Sequence, residues 1–292
     1  MKIKSFAKIN LGLEILDKRE NGYHEIKTIF QSINLFDLLE FRLIKEDKII
    51  LIGNNNSIQW DENNLIYKAS VLLKKVFSVK RGVEIKVIKN IPAGKGLGGG
   101  SSNSAITFLA LKKIWNLDIE KNKLIKLAKE LGADVPYFFF GGKAIGLGRG
   151  DEIHPLRDEE QYYVLLVFPE FSISTKEIYH YWDKKYTLTS KNKESKIYKF
   201  LKDKKIRSLE NDLEKVVFDL YPMLKDIKKK ILKKGAELAM VSGSGSSVYG
   251  IFSNELKAVE VLAEFERKNL KCMVIPTISR EKYWAEIGDL QF

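Results

Sequence analysis

Residues 91–103 read Ile-Pro-Ala-Gly-Lys-Gly-Leu-Gly-Gly-Gly-Ser-Ser-Asn, with glycine at 94, 96, 98, 99 and 100. Glycine at that density weakens a helix or a strand, because each one forfeits side-chain packing and carries extra backbone entropy. In return the backbone can curl tightly and present successive N–H groups to a neighbour. The loop runs into Ser101, Ser102 and Asn103, good N-capping residue types, and then into the apolar-rich stretch 105–115. A glycine turn that opens a helix supplies free N–H donors at the positive end of a helix dipole, and the ligand suited to both is phosphate. The alternative, a loose linker with a capping serine, does not explain why the loop leads at once into an amphipathic pattern.

The strand before the loop narrows the fold. Residues 83–89, Val-Glu-Ile-Lys-Val-Ile-Lys, alternate apolar with charged, so that strand has one wet face. Gly94-x-Gly96-x-x-Gly99 matches the dinucleotide fingerprint, with Asp118 or Glu120 at the distance of a ribose-binding acid. In a doubly wound fold, however, the preceding strand is buried on both faces and nearly all apolar. A Walker loop needs Gly-Lys followed by Ser or Thr; here Lys95 precedes Gly96 and Lys143 precedes Ala144. Neither of those chemistries fits.

Along the chain, residues 1–16 predict a strand pair, 29–41 and 48–52 further strands, and 66–76 an amphipathic helix. Asp118 is a candidate cap for a helix running to Leu131 and closed by Gly132. Glycines 141, 142, 146, 148 and 150 mark a turn-rich region, and a boundary is expected within 151–160. Beyond it the pattern predicts a strand at 162–168, a helix from about Thr175 and a lysine-rich linker over 184–205. Helices over 209–220 and 222–234, a strand at 237–241, the turn Ser242-Gly243-Ser244-Gly245-Ser246-Ser247, and a strand at 248–252 follow. A helix capped by Asn254 and a strand at 271–278 complete the chain. This alternation resembles a split βαβ, ferredoxin-like half.

Three short segments carry polar groups of interest. In Ala7-Lys8-Ile9-Asn10-Leu11, Lys8 and Asn10 share one face of a strand, which is an ordinary solvated face unless something else meets it. Gly22-Tyr23-His24 places an aromatic and a histidine after a turn. Gly132-Ala133-Asp134-Val135-Pro136 holds an acid in a Gly/Pro-bounded turn, where aspartate commonly bonds its own backbone.

Taken together and in order, these segments resemble the galactokinase–homoserine kinase–mevalonate kinase (GHMP) superfamily over nearly the whole chain. Residues 92–102 look like a glycine-enriched form of its phosphate loop, 7–11 like its first motif and 241–248 like its third. The resemblance implies an α+β, two-domain GHMP kinase fold: a ribosomal protein S5 domain 2-like, ATP-binding half over 1–153 and a ferredoxin-like half over 154–292. It implies ATP as cofactor with Mg²⁺, the metal's ligands being unassigned because no acidic cage is apparent. Within the superfamily, Tyr23-His24, Gly98 to Asn103 and the Asp134 turn are similar to members that phosphorylate a cytidyl polyol on the non-mevalonate isoprenoid route. A mevalonate or homoserine kinase is the alternative, and neither of those substrates offers a base to stack on.

The same resemblance assigns roles. Lys8 and Asp134 correspond to the catalytic pair, with Asp134 taking or orienting the hydroxyl proton. The ATP site is implied at Pro92, Ala93, Gly94, Lys95, Gly96, Leu97, Gly98, Gly99, Gly100, Ser101 and Ser102, with Asn64 and Lys89 near the base and ribose. The substrate site is implied at Asn10, Tyr23, His24 and Thr175, with Tyr179 as the second aromatic wall, normally Phe. Lys95 departs from the pattern, since Ala or Gly usually holds that place; an outward, surface-facing lysine is the favoured expectation, an inward cation near the phosphates the other.

Composition adds limits. Lys and Arg number 50 against 38 Asp and Glu, a net +12. Many of those lysines fall at solvent-facing helical positions, so a basic surface with some pull on anionic small molecules is favoured over a nucleic-acid face. An RNA-binding module would leave Lys8 and Asp134 unexplained. Cys272 is the single cysteine, which excludes an intramolecular disulfide or a thiolate metal cluster. Neither a signal peptide nor a membrane span is read, so a cytoplasmic enzyme is expected, with no membrane partner and a monomeric or weakly dimeric state.

Overall fold

The computed structural model describes residues 1–158, 161–186, 195–290 and 292. Its first layer is a six-stranded mixed sheet built around two long strands, β1 (Lys2–Lys18) and β2 (His24–Ile44), antiparallel from Lys2 opposite Glu40 to Lys18 opposite His24. The strand pair expected within residues 1–16 is therefore one strand. Register shifts at Phe6/Ala7, Asn10/Gly12 and Ile15/Asp17 bend it without ending it. On the other side of β2 lie β4 (Gly82–Ile88), with β3 (Ile49–Gly53) parallel to it, and β5 (Lys143–Leu147), with β6 (Glu152–Pro155) outside that.

β4 has the one wet face that its alternation predicts: Val83, Ile85 and Val87 are buried while Lys86 and Ile88 are exposed. Against the dry face pack α1 (Leu65–Phe77), α2 (Gly99–Ile114) and α3 (Lys121–Leu131). Two caps differ from expectation. Gly98, in a left-handed conformation at φ 69°, is the N-cap of α2, so Ser101, Ser102 and Asn103 sit inside its first turns. Glu120, not Asp118, precedes α3, and Gly132 is its C-cap as expected.

The second layer is a four-stranded antiparallel sheet in the order β10-β7-β9-β8, from β7 (Tyr163–Phe168), β8 (Leu238–Val241), β9 (Val248–Phe252) and β10 (Lys271–Pro276). Counted along the chain that order is 4-1-3-2, the ferredoxin-like arrangement. Helices α4 (Thr175–Lys185), α6 (Glu214–Leu220), α7 (Pro222–Lys233) and α8 (Glu255–Glu266) carry apolar residues into its core. Part of the expected 184–205 linker, 187–194, lies outside the described residues; 196–203 is a helix, α5 (Lys196–Asp203), capped by Ser195.

The layers interlock. A third apolar cluster joins Ile9, Ile29 and Ile33 of the first sheet to Val164, Leu166 and Tyr249 of the second. β6 keeps the first sheet going to Pro155, past residue 153, and α9 (Arg280–Ile287) returns at the end of the chain to bury Tyr283 and Ile287 in the first core. The turn-rich glycine region brackets β5: Gly141 and Gly142 lead into it, and Gly148 and Gly150 lie in the turn to β6, with which it pairs. Among the described residues, no helix is long and apolar enough to cross a membrane.

Candidate active site

Between the layers lies a cleft of ≈ 1170 Å³, lined by β1, the tip of the β1–β2 hairpin, the glycine loop, the Asp134 turn and α4. Its floor is polar but scarcely wet. Lys8 and Asn10 are buried, at 3% and 2% exposure, which removes the reading of Lys-x-Asn as a solvated face. The Lys8 ammonium donates to Asn10 Oδ1 at 2.6 Å and lies 3.1 Å from Asp134 Oδ2. Asn10 Nδ2 donates to Thr28 Oγ1 at 2.9 Å, and Thr28 Oγ1 donates in turn to the Gly12 carbonyl. The whole row is fixed from β2.

Asp134 sits at the start of a single 3-10 turn, Val135–Phe139, whose aromatic side chains are buried. Its carboxylate makes no capping bond to that turn, so the common local use of a turn aspartate does not apply. It is left facing Lys8 and the cleft, the Asp134 side chain 35% exposed against 4% for Lys8. The Lys8 ammonium is thus closed off beside a carboxylate that stays open to the cleft.

The glycine loop crosses above this pair. Gly94, Gly96 and Gly98 have φ of 66°, 74° and 69°, the left-handed region that glycine enters without strain. At Gly98 a Cβ would stand 2.8 Å from the Phe138 ring and 3.0 Å from Lys8 Cε. Lys8 N donates to the Leu97 carbonyl, tying the loop to β1. From below, Asp37, wholly buried on β2, accepts from the Asn90 and Ile91 amides at 2.8 Å, from Asn103 Nδ2 at 2.9 Å and from the Lys89 ammonium. Asp37 thus sets where the loop begins. Sequence reasoning missed it, because a lone Asp in an apolar strand carries no local signal.

The turn 242–247 reaches the same place from the second layer. Ser242 Oγ donates to the Gly96 carbonyl at 2.9 Å, and Gly243 passes so close to Asn10 that a Cβ would lie 3.2 Å from its Oδ1.

Lys95 corrects the expectation of a surface lysine. It is buried at 8% exposure, and its ammonium donates to the Pro169 and Phe171 carbonyls, each at 2.6 Å. Asn64 lines the glycine-loop end of the cleft, but its side chain caps α1 through Ile66 N and holds the Gln59 carbonyl. Lys89 lines it too, with its ammonium engaged by Asp37 and Asn103. Trp60, unremarked in the sequence, stands beside them.

At the opposite end His24 and Tyr179 stack with centroids 4.8 Å apart and planes at 26°. Burial pushes the Tyr179 phenol above its ordinary value, so the ring is neutral. Tyr23, on the hairpin tip, is 56% exposed and lies 5.0 Å under the Arg149 guanidinium. His24 Nε2 is 2.7 Å from Asp183 Oδ1, while Lys18 donates to Asp183 Oδ2 at 2.6 Å. Desolvation would raise the Asp183 carboxyl, but the hydrogen bonds from Lys18 and His24 outweigh it and hold it below the usual range. Thr175 Oγ1 meets Ser244 Oγ at 2.7 Å at the head of α4. Arg149 and Asp183 were not singled out from the sequence; each lies far along the chain from the Tyr23-His24 pair it meets.

The known proteins that this chain resembles agree with that architecture. The GHMP kinases N terminal domain matches residues 64–142 and the GHMP kinases C terminal domain residues 198–272. A 4-diphosphocytidyl-2-C-methyl-D-erythritol kinase of Caldanaerobacter subterraneus subsp. tengcongensis is 40% identical over 263 residues, covering 89% of this chain and 90% of its own. The enzyme of that name from Thermodesulfovibrio yellowstonii is 40% identical over 282 residues, covering 94% and 97%. A crystal structure of a 4-(cytidine 5'-diphospho)-2C-methyl-D-erythritol kinase superposes with a TM-score of 0.76 at 29% identity, over 95% of this chain and 99% of that one. The mevalonate kinase of Methanococcus jannaschii shares the fold, with a TM-score of 0.74 at 17% identity. The chain therefore belongs to the 4-diphosphocytidyl-2-C-methyl-D-erythritol kinase family of the GHMP kinases.

Proposed function

We infer that this protein transfers the γ-phosphoryl group of ATP to the 2-hydroxyl of 4-diphosphocytidyl-2-C-methyl-D-erythritol, releasing the 2-phosphate and ADP. The observation that carries this reading is the Lys8–Asp134 pair at 3.1 Å, with the glycine loop on one side and the His24–Tyr179 stack on the other. Phosphoryl transfer asks an enzyme for in-line positioning and charge stabilisation rather than covalent chemistry. Backbone N–H groups of the loop and the N-terminus of α2 take the nucleotide's phosphates. Asp134 accepts the hydrogen bond of the attacking hydroxyl and receives its proton as the bond to phosphorus forms. Lys8, 3.1 Å from Asp134, stabilises negative charge on the transferring group.

The aromatic end sets the substrate. Tyr23 and Tyr179 offer rings to the cytosine face, and His24 offers a ring nitrogen to its edge, with Nε2 held by Asp183. Asn10 and Thr175 flank the polyol. Mg²⁺ fits this donor set: it takes most of its oxygens from nucleotide phosphates and water, with one or two carboxylates, and Asp134 is a half-exposed carboxylate beside the loop. When bound it neutralises phosphate charge. Among the described residues no cluster of three acidic, histidine or cysteine side chains forms a protein cage for it.

We place the enzyme in the cytoplasm, where ATP is supplied, acting on a free small molecule without nucleic acid, as a monomer or weak homodimer. An ADP-release assay with the cytidyl substrate, mevalonate and homoserine tests the assignment. Turnover with the cytidyl substrate alone is expected; turnover with mevalonate or homoserine instead would replace it with another GHMP kinase activity.

A further inference from the structure

Lys95 is a buried ammonium that faces two backbone carbonyls. Desolvation lowers its pKa, so the site carries a cost that a smaller, neutral residue would avoid. What it holds is specific. Pro169 and Phe171 follow directly on β7 and lead into α4, the helix that carries Thr175, Tyr179 and Asp183. The Phe171 carbonyl accepts a second bond, from Ser246 Oγ at 2.6 Å, and the Phe171 ring stacks on Tyr221 at 5.0 Å, which anchors the receiving end in the second core. Ser247 N donates back to the Lys95 carbonyl. Beside this joint Gly94 runs so close to the same segment that a Cβ would stand 2.9 Å from Ser172 Oγ. Ser174, the N-cap of α4, comes two residues later. One side chain thus spans from the nucleotide loop to the base of the helix that walls the substrate pocket.

We propose that Lys95 is a positioning residue that couples the two binding sites, so that nucleotide on the glycine loop steadies α4 and tightens binding of the cytidyl substrate. The proposal rests on the reading of the loop as the ATP site. A loop held only at its own ends would order on binding ATP without consequence for α4. With Lys95 fastened to residues 169 and 171, the order gained by one segment is shared by the other, and such a coupling is reciprocal.

The test is the dissociation constant of the cytidyl substrate, by calorimetry, with and without a non-hydrolysable ATP analogue, in the wild type and in Lys95→Met. Methionine keeps the aliphatic stem and removes the donors. The analogue is expected to tighten substrate binding at least about fivefold in the wild type, and Lys95→Met to lose most of that gain. Ser246→Ala, which deletes the other donor to the Phe171 carbonyl, is expected to weaken the coupling in the same direction and serves if Lys95→Met does not fold. A general loss of stability would weaken both ligands without changing the ratio. An equal ratio in wild type and variants overturns the coupling while leaving the kinase reading intact; a wild type that binds no analogue overturns both.

Discussion

Lys8 and Asp134 differ in what surrounds them, and the difference separates their roles. Lys8 is sealed under the Gly98 backbone and against the Phe30 ring, with Asn10 and Asp134 as its polar neighbours. Replacing it leaves the fold of β1 in place but strips Asp134 of its counter-ion. We expect Lys8→Met to lower kcat by about two orders of magnitude or more, with ATP affinity, read by calorimetry, changing much less. A fall in ATP affinity as large as the fall in kcat would make Lys8 a nucleotide ligand instead. Much of this site was legible in the chain, because Lys8, Asn10, Tyr23, His24 and Asp134 stand in short segments whose composition is unusual. The groups that position them were not. Asp37 and Asp183 act through partners distant in sequence, and no local pattern marks a carboxylate that will be met by a group 53 or 159 residues away.

At the scale of elements, the glycine loop is set by close approach as much as by turn geometry. Gly96 has φ 74°, and a Cβ there would lie 2.0 Å from the Ser242 carbonyl. Gly96→Ala therefore meets a backbone penalty of about 1–2 kcal/mol and pushes the loop off the 242–247 turn. A lower Tm together with lost ATP binding is the expected outcome, measured by thermal melts with and without nucleotide; retention of both would contradict the docking.

The strand that leads into that turn has its own control. Glu214, at the head of α6, accepts from Val241 N and pairs with Lys228. Burial raises its carboxyl pKa above the ordinary 4.5 despite the opposing effect of Lys228. The folded protein keeps that proton to higher pH than the unfolded chain, so the stability this confers is complete below 4.5 and is lost as pH rises through the raised value. Glu214→Gln, which cannot titrate, is expected to gain Tm relative to wild type as pH climbs through that window; parallel pH profiles would exclude it. Strands and helices with regular alternation were readable from sequence, as β4 and α1 demonstrate. The caps of α2 and α3, the unbroken β1, and α5 inside a lysine-rich stretch were not, because bulges, glycine turns and packing decided them.

For the whole molecule, the two layers are less separable than a cut after residue 153 implies. Residues 278–290 leave the second sheet and return to the first core, where Tyr283 is fully buried and donates to the Phe138 carbonyl at 2.6 Å. Phe138 belongs to the turn that presents Asp134. Removing the chain from Arg280 onward exposes that core, at about 1.5–3 kcal/mol for each large apolar side chain uncovered, and loosens the Asp134 turn. The truncated protein is expected to melt at a markedly lower temperature and to lose activity; an unchanged Tm would mean that α9 is peripheral. The cleft itself is a product of this interlock: the glycine loop and Asp134 come from one layer, α4 and the 242–247 turn from the other.

The central claim, that phosphoryl transfer in this cleft depends on Asp134 at its junction with Lys8, is tested most directly by single-turnover rapid quench. Enzyme in excess over ATP, mixed with the cytidyl substrate, reports the chemical step apart from product release. For Asp134→Asn the account predicts retained ATP binding and transfer slowed by about 10²–10⁴-fold. Transfer at close to the wild-type rate would contradict it.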